Sequence, residues 1–365
     1  MKTKRILAAA LAALLVLAVA ACGSDSSSSS SGSSSSSSSK AASINGAGAT
    51  FPLPVYQEWA ARLKDKGLTV NYQGIGSGGG IAQFTAGTVD FGATDSAMAD
   101  DELAAAKKKG DPVHVPSVFG AVTVSYNVQG IDKGLKLDGA TTADMFLGKI
   151  TKWNDPAIAK LNPDAKLPST AITVCHRSDE SGTTKLFTTF LADYSKEWAS
   201  KVGSDKTVKW PVGTGAQKND GVAACVKQNQ GAVGYVEQAY ALANNFTTAD
   251  VKNAKGKYIA PTLQSTSAAG EGLKVPADLR YSAINSPNAA AYPIASSTFL
   301  LVYQDMCKAG QKKSQATKTV AWLNYALGDG QKVAPKLQYA PLPANLLSKA
   351  KAKVAGLKCN GSPLK

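Results

Sequence analysis

The sequence predicts an α/β protein built as two lobes joined by two crossing strands. Three observations carry that reading. From residue 43 the chain alternates short β-rich runs, Gly-rich turns and helical patterns, the rhythm of an α/β lobe with a mainly parallel sheet. Two long β-rich segments, 113–128 and 293–303, bracket a large middle section, as an outward and a return crossover between lobes would. The chain beyond residue 43 is also longer than a single core needs. Two crossings imply a hinge and a cleft. No period of 20–50 residues repeats, which excludes solenoids.

The ends come first. Met-Lys-Thr-Lys-Arg precedes an apolar run from Ile6 to Ala21 and then Cys22. A charged start, a short apolar run and small residues describe an export leader over residues 1–21. The run is shorter than the roughly 20 residues of a membrane span. Val19-Ala20-Ala21-Cys22 resembles a bacterial lipobox, which makes Cys22 the expected lipidation site and ties the protein to a membrane surface. The near-unbroken serine that follows has nothing apolar to bury, so residues 22–42 read as a flexible tether. The folded part then sits on the outer face of the cell membrane.

The first lobe is expected over 43–120 and 297–365, the second over 121–296. In the first, a strand runs into Gly46-Ala47-Gly48-Ala49-Thr50-Phe51, and a helix follows with Pro52 and Pro54 in its first turn. Strand 68–72 leads to Gly74-Ile75-Gly76-Ser77 and a helix ending near Ala86. Strand 89–93 ends at Thr94-Asp95-Ser96. In the second lobe, helices are expected at 142–147 and 156–161 and a strand at 171–175. The next helix has Leu186, Phe187, Phe190, Leu191, Tyr194 and Trp198 on one face. A helix at 221–228 and a buried strand at 231–236 follow. Residues 244–288 show no clear element. Helices at 318–327 and 346–354 close the chain.

The net charge is +14, and losing Lys2, Lys4 and Arg5 with the leader lowers it to +11. That balance suits anionic ligands. Nucleic acid is disfavoured because the lysines are scattered; Lys107-Lys108-Lys109 reads as a solvated helix end. Cys175, Cys225, Cys307 and Cys359 remain beyond the leader, none at metal-ligand spacing. Four cysteines in an exported chain allow three disulfide pairings. Cys175–Cys225 with Cys307–Cys359 is favoured because each bridge then stays within one lobe. With histidine present only as His114 and His176, no metal site is expected.

Three Gly/Ser/Thr-rich turns open helices: at Thr50-Phe51, at Ser77, and at Ser181-Gly182-Thr183. Each presents free N–H groups and a hydroxyl at a positive helix end, where anions bind. One such serine is ordinarily only a cap. Three, together with the fixed cation Arg177, point to an anion site. Asp179 either holds Arg177 in place or merely forms the turn. Asp95 either caps the next helix, a role open also to Asp100 and Asp101, or faces the ligand. A carboxylate beside an anion helps only if the anion has a proton to give it. Near neutral pH phosphate keeps a proton and sulfate has none, so Asp95 would accept phosphate and reject sulfate. Gly74-Ile75-Gly76-Ser77-Gly78-Gly79 formally matches a dinucleotide fingerprint, which suits an exported lipoprotein poorly. His176, Asp179 and Ser181 are too crowded in sequence for a usual catalytic triad.

Several motifs resemble the PstS-type phosphate-binding proteins: residues 46–52, 71–77, 89–95, 147–155, 177–183 and 231–237, in that order. The resemblance covers about 43–347. It implies a periplasmic-binding-protein (type II) fold that closes on one inorganic phosphate, without cofactor or catalysis. It implies contacts from Thr50 and Phe51 (backbone), Ser77, Asp95, Arg177, Ser181, Gly182 and Thr183. It also implies delivery to an ABC permease and ATPase complex. An exported phosphatase and a binder of another oxyanion such as sulfate are the alternatives. Two positions depart from the pattern: Gly78 stands where a second serine is common, and Glu180 where glycine is common. Glu180 would weaken binding if it pointed inward.

Overall fold

The computed structural model describes residues 42–131 and 134–364. The leader, Cys22 and the serine tract lie outside the described residues. Strand β1 (Ala42–Gly48) pairs in parallel with β2 (Leu68–Gly74) and β3 (Phe91–Thr94). Between β1 and β2, helix α1 (Leu53–Lys64) buries Val55, Tyr56, Trp59 and Leu63, one stripe at helical spacing. Pro52 caps it, where a missing N–H costs nothing, and Arg62 and Lys64 lie at its negative end. Trp59 stacks on Tyr56 at 5.5 Å and meets Trp322 edge-on at 5.8 Å. Helix α2 (Ser77–Ala86) follows β2, and α3 (Asp100–Lys107) follows β3.

Strand β4 (Pro112–Asn127) is the outward crossover, buried from Val113 to Tyr126. Its buried span is rich in valine but also carries His114, Ser117, Thr123 and Ser125. Beyond it lie β5 (Thr173–Arg177), helix α4 (Gly182–Tyr194), β6 (Thr214–Ala216), helix α5 (Lys218–Gln228) and β7 (Ala232–Glu237). The return crossover is β8 (Ala295–Tyr303). The strands lie in the order β2-β1-β3-β8-β4-β7-β5-β6. Pro112 to Ala121 of β4 pair with β8, whereas Val122 to Asn127 pair with β7. One strand therefore belongs to both halves of the sheet, which is the two-lobed, doubly crossed periplasmic-binding-protein architecture.

The strands between residues 42 and 94 pair in parallel, as expected, while the sheet as a whole is mixed. The parallel pairs lie at its two ends, and the β3–β8, β8–β4 and β4–β7 pairs are antiparallel. The outward and return strands run in opposite senses and pair at the centre. A second difference is the long helix expected through Trp198. It ends at Tyr194, and Ser195 adopts an extended conformation and caps a separate helix, Lys196–Lys201, by accepting from Trp198 N. The stretch 244–288 is also not bare. It holds helix Leu263–Gly270 and the short strands Asp250–Lys252 and Tyr258–Ile259. That helix buries Ser265, Thr266, Ala268, Ala269 and Gly270, small residues that leave no apolar period to see.

Cys175 pairs with Cys225 and Cys307 with Cys359, as favoured from sequence. Each bridge closes a loop of about 50 residues, worth about 4 kcal/mol in the chain-entropy account. Among the described residues no helix is long and apolar enough to cross a membrane.

Candidate functional site: an anion cradle between the lobes

Every turn that the sequence singled out ends on one cleft. The turn after β1 is held from behind by three phenols. Tyr72 donates to Ala49 O at 2.7 Å, Tyr240 to Thr50 O at 2.6 Å and Tyr339 to Phe51 O at 2.6 Å. With three successive carbonyls tied back, the N–H groups of Thr50 and Phe51 have no protein acceptor among the described residues. Tyr240 and Tyr339 come from far along the chain, so the turn is rigid only in the folded whole.

Arg177 ends β5, almost fully buried. Asp179 grips its guanidinium with both oxygens, Nε donating to Oδ1 at 2.6 Å. Burial pushes the Asp179 carboxyl up, but the Arg177 bonds and the Lys218 N–H outweigh it and leave it below the ordinary carboxylate range. Arg177 Nη1 still reaches Thr183 Oγ1 at 3.5 Å. So Asp179 orients the cation, and the turn-former reading yields to the more specific one.

Ser181 caps α4: its Oγ accepts from Thr184 N at 3.1 Å. The cap does not use up the hydroxyl, because an accepting hydroxyl still has its proton to donate. Gly182 and Thr183 begin the helix, where N–H groups have no intrahelical partner. Gly182 also explains its own identity. A side chain there would begin 2.4 Å from Ser77 Oγ and 2.7 Å from Asp95 Oδ2. The first lobe's serine and aspartate therefore meet the second lobe's helix end at van der Waals range.

Asp95 is not a helix cap. Ala99 occupies the N-cap position of α3, and Asp100 and Asp101 sit in its first turn. Asp95 instead follows β3, 1 % exposed, and accepts from Thr298 Oγ1 at 3.0 Å. Burial raises its carboxyl to about 7, opposed by the Thr298 bond, the Arg177 charge and the Ser77 hydroxyl. It is a carboxylate near its midpoint at neutral pH, facing a cation and a helix N-terminus.

Two participants were not legible in the sequence. Asn219, fully buried at the start of α5, donates to Thr50 Oγ1 at 2.9 Å and reaches Thr183 Oγ1 at 3.5 Å. Its Oδ1 accepts from Glu237 N, which fixes the amide's orientation. One amide thus braces hydroxyls of both lobes. Thr298 is the other. Both come from segments whose local pattern is unremarkable, and only the tertiary fold brings them here.

Glu180 does not reverse the site. It is exposed, and its carboxylate lies over Gly78 in the first turn of α2, 1.9 Å from where a side chain there would begin. The two departures from the family pattern therefore meet in space, with the Glu180 carboxylate lying over Gly78. Gly78 N also donates to Glu180 O at 3.1 Å across the cleft. Nearby, Lys206 pairs with Glu102 at 2.7 Å, largely buried, and Lys206 O accepts from Ser181 N. The triad geometry is not formed. His176 Nδ1 lies 3.0 Å from Arg177 O and its ring stacks on Trp210, while Asp179 and Ser181 are engaged as described.

The cradle can thus surround a small oxyanion with N–H and O–H dipoles from both lobes, one braced cation and one acceptor carboxylate. Among the described residues no cluster of His, Cys, Asp or Glu is arranged to hold a metal.

Comparison with known proteins agrees with this architecture. Residues 33–329 match the family model described as a PBP superfamily domain, so the chain belongs to the periplasmic-binding-protein superfamily. It is 40% identical over 316 residues to phosphate-binding protein PstS of Xylella fastidiosa (strain 9a5c), covering 86% of this chain and 85% of that one. It is 41% identical to phosphate-binding protein PstS of Pasteurella multocida (strain Pm70), covering 86% and 90%. Within the superfamily the chain is a member of the PstS family. A solved phosphate-binding protein from Stenotrophomonas maltophilia shares the fold with a TM-score of 0.65 at 21% identity, over 85% of this chain and 93% of that one.

Proposed function

We propose that this protein binds one inorganic phosphate between its lobes, outside the membrane, and delivers it to an ABC permease and ATPase complex. The observation that carries the reading is the meeting of Asp95 and Ser77 with the Gly182 helix end, beside the Asp179-braced Arg177. Aligned neutral dipoles can hold a multiply charged anion without full counter-charge. Asp95 supplies the acceptor that a protonated oxyanion can use and a fully deprotonated one cannot. The ligands are Thr50 and Phe51 through their N–H groups, Ser77, Asp95, Arg177, Ser181, Gly182 and Thr183, with Asp179 behind Arg177. No bond is broken in this role.

We assign residues 43–120 and 297–365 to one lobe and 121–296 to the other; the change of pairing partner along β4 at Ala121/Val122 supports that boundary. Cys22 is the proposed lipid anchor, with the serine tract as a leash that lets the cleft reach a membrane transporter. Titration calorimetry tests the reading: phosphate binds one per chain, and Arg177→Met weakens it by roughly 1.5–3 kcal/mol. Absence of phosphate binding in the intact protein would overturn the proposal.

A further inference from the structure

Thr298 lies on β8, the return crossover, fully buried. Its position is unusual in the sheet. The pairing of β8 with β4 shifts register between Thr298 and Phe299, bypassing Ser117. The irregularity puts the Thr298 hydroxyl 3.0 Å from Asp95 Oδ1 and 3.2 Å from Thr94 O. Ser117 Oγ, left out of the ladder, reaches Thr298 O at 3.3 Å and pairs with the Tyr56 hydroxyl at 2.7 Å, so the bulge is held in place. Ser296 Oγ lies within hydrogen-bond reach of Asp95 O at 3.2 Å and of Ser297 O at 3.0 Å. The return strand therefore packs hydroxyls against both the backbone and the side chain of Asp95.

A threonine hydroxyl has one proton. Thr298 faces two acceptors and can satisfy one at a time. Given to Asp95 Oδ1, the proton favours the ionised carboxylate. Given to Thr94 O, it leaves a lone pair facing Asp95, which then favours the carboxylic acid. Meanwhile Asp95 Oδ2 faces the Gly182 helix end across the cleft. The other groups that act on Asp95 are Arg177 and the Ser77 hydroxyl, which favour the charge against the burial that opposes it. The buried phenols have other partners: Tyr56 pairs with Ser117, Tyr72, Tyr240 and Tyr339 reach the Thr50 turn, and Tyr339 also reaches Glu237 Oε2. Burial holds the Glu237 carboxyl well above the ordinary carboxylate range.

We propose that Thr298 is a specificity-determining positioning residue: by occupying Asp95 Oδ1 it leaves Oδ2 as the one acceptor turned toward the bound oxyanion. This rests on the phosphate-binding reading and adds to it a residue outside the ligand shell. Without the hydroxyl, Asp95 would hold its proton to higher pH. A protonated Asp95 donates instead of accepting, so the penalty against sulfate would fall.

The test compares Thr298→Val and Thr298→Ser with the unsubstituted protein, by phosphate and sulfate calorimetry from pH 6 to 9. The Asp95 carboxyl titration is followed in parallel by carbon-13 NMR on ligand-free protein. In Thr298→Val the Asp95 midpoint rises, phosphate affinity near neutral pH falls roughly ten-fold, the size of one hydrogen bond to a charged group, and sulfate gains. Thr298→Ser, which keeps the hydroxyl, restores both the midpoint and the selectivity. Should the valine variant not fold, Thr298→Ala is measured in the same way. An unmoved Asp95 midpoint with unchanged phosphate-to-sulfate preference overturns this inference and leaves the phosphate reading standing. An unsubstituted protein that binds no phosphate overturns that reading, while the ligand-free titration still decides the control of Asp95 by Thr298.

Discussion

At the scale of residues, the cradle separates attraction from discrimination. In the proposed reading Arg177 attracts the anion, and Asp179 holds the guanidinium in one orientation so that it is not left bare in a buried site. In the same reading an ionised Asp95 repels an anion that lacks a proton. Replacing Asp95 by Asn keeps the volume but turns an acceptor into a group with donors. The expected result is near-equal phosphate and sulfate affinities, measured by competition calorimetry; a variant that still rejects sulfate would place discrimination elsewhere. Most of this set was readable in the sequence, because Ser181-Gly182-Thr183 and Arg177 lie within seven residues and their chemistry is local. Asn219 and Thr298 were not. Each acts on a partner far away in the chain, Asn219 on Thr50 and Thr298 on Asp95, and nothing in their own neighbours signals it.

At the scale of elements, the cleft is spanned by contacts besides the cradle. The Lys206–Glu102 pair joins the loop behind Ser181 to α3, where Glu102 also accepts from Ala99 N. Both side chains are largely shielded, so losing one partner strands a charge in a poorly solvated place. Glu102→Gln is expected to speed phosphate release several-fold while the association rate changes little, as stopped-flow fluorescence would record. An unchanged release rate would mean the pair does not hold the lobes together. The crossover strands were legible as long segments rich in β-branched and aromatic residues. The mixed pairing was not, since strand direction at the centre depends on which crossover lies beside which. The break at Ser195 was hidden as well: Trp198 keeps helical spacing with Tyr194 although a new helix carries it.

At the scale of the whole molecule, the two halves share one sheet through β4 and β8, and both strands are buried in the core. His114, on β4 and 1 % exposed, accepts from Met98 N through Nε2. Burial lowers it to about 4, with the Arg280 charge in the same direction. A depressed histidine stabilises the fold fully above its ordinary midpoint and loses that contribution as pH falls through the folded one. The window is therefore about pH 6.5 to 4, and the shift corresponds to about 3 kcal/mol. Melting temperatures across that window should fall less steeply in His114→Gln than in the unsubstituted protein; equal slopes would contradict the assignment. Asp95 and Glu237, both raised by burial, act in the opposite direction, so the comparison between the two proteins isolates His114.

The central claim is that a buried carboxylate, set across the cleft from a braced arginine, chooses the anion. Calorimetry of the unsubstituted protein with phosphate and with sulfate tests it most directly. Since the Asp95 midpoint lies at about 7, the comparison is made at pH 8 and again at pH 6. The account predicts strong preference for phosphate at pH 8, relaxing at pH 6 as Asp95 takes up its own proton. Comparable sulfate affinity at pH 8 would contradict it.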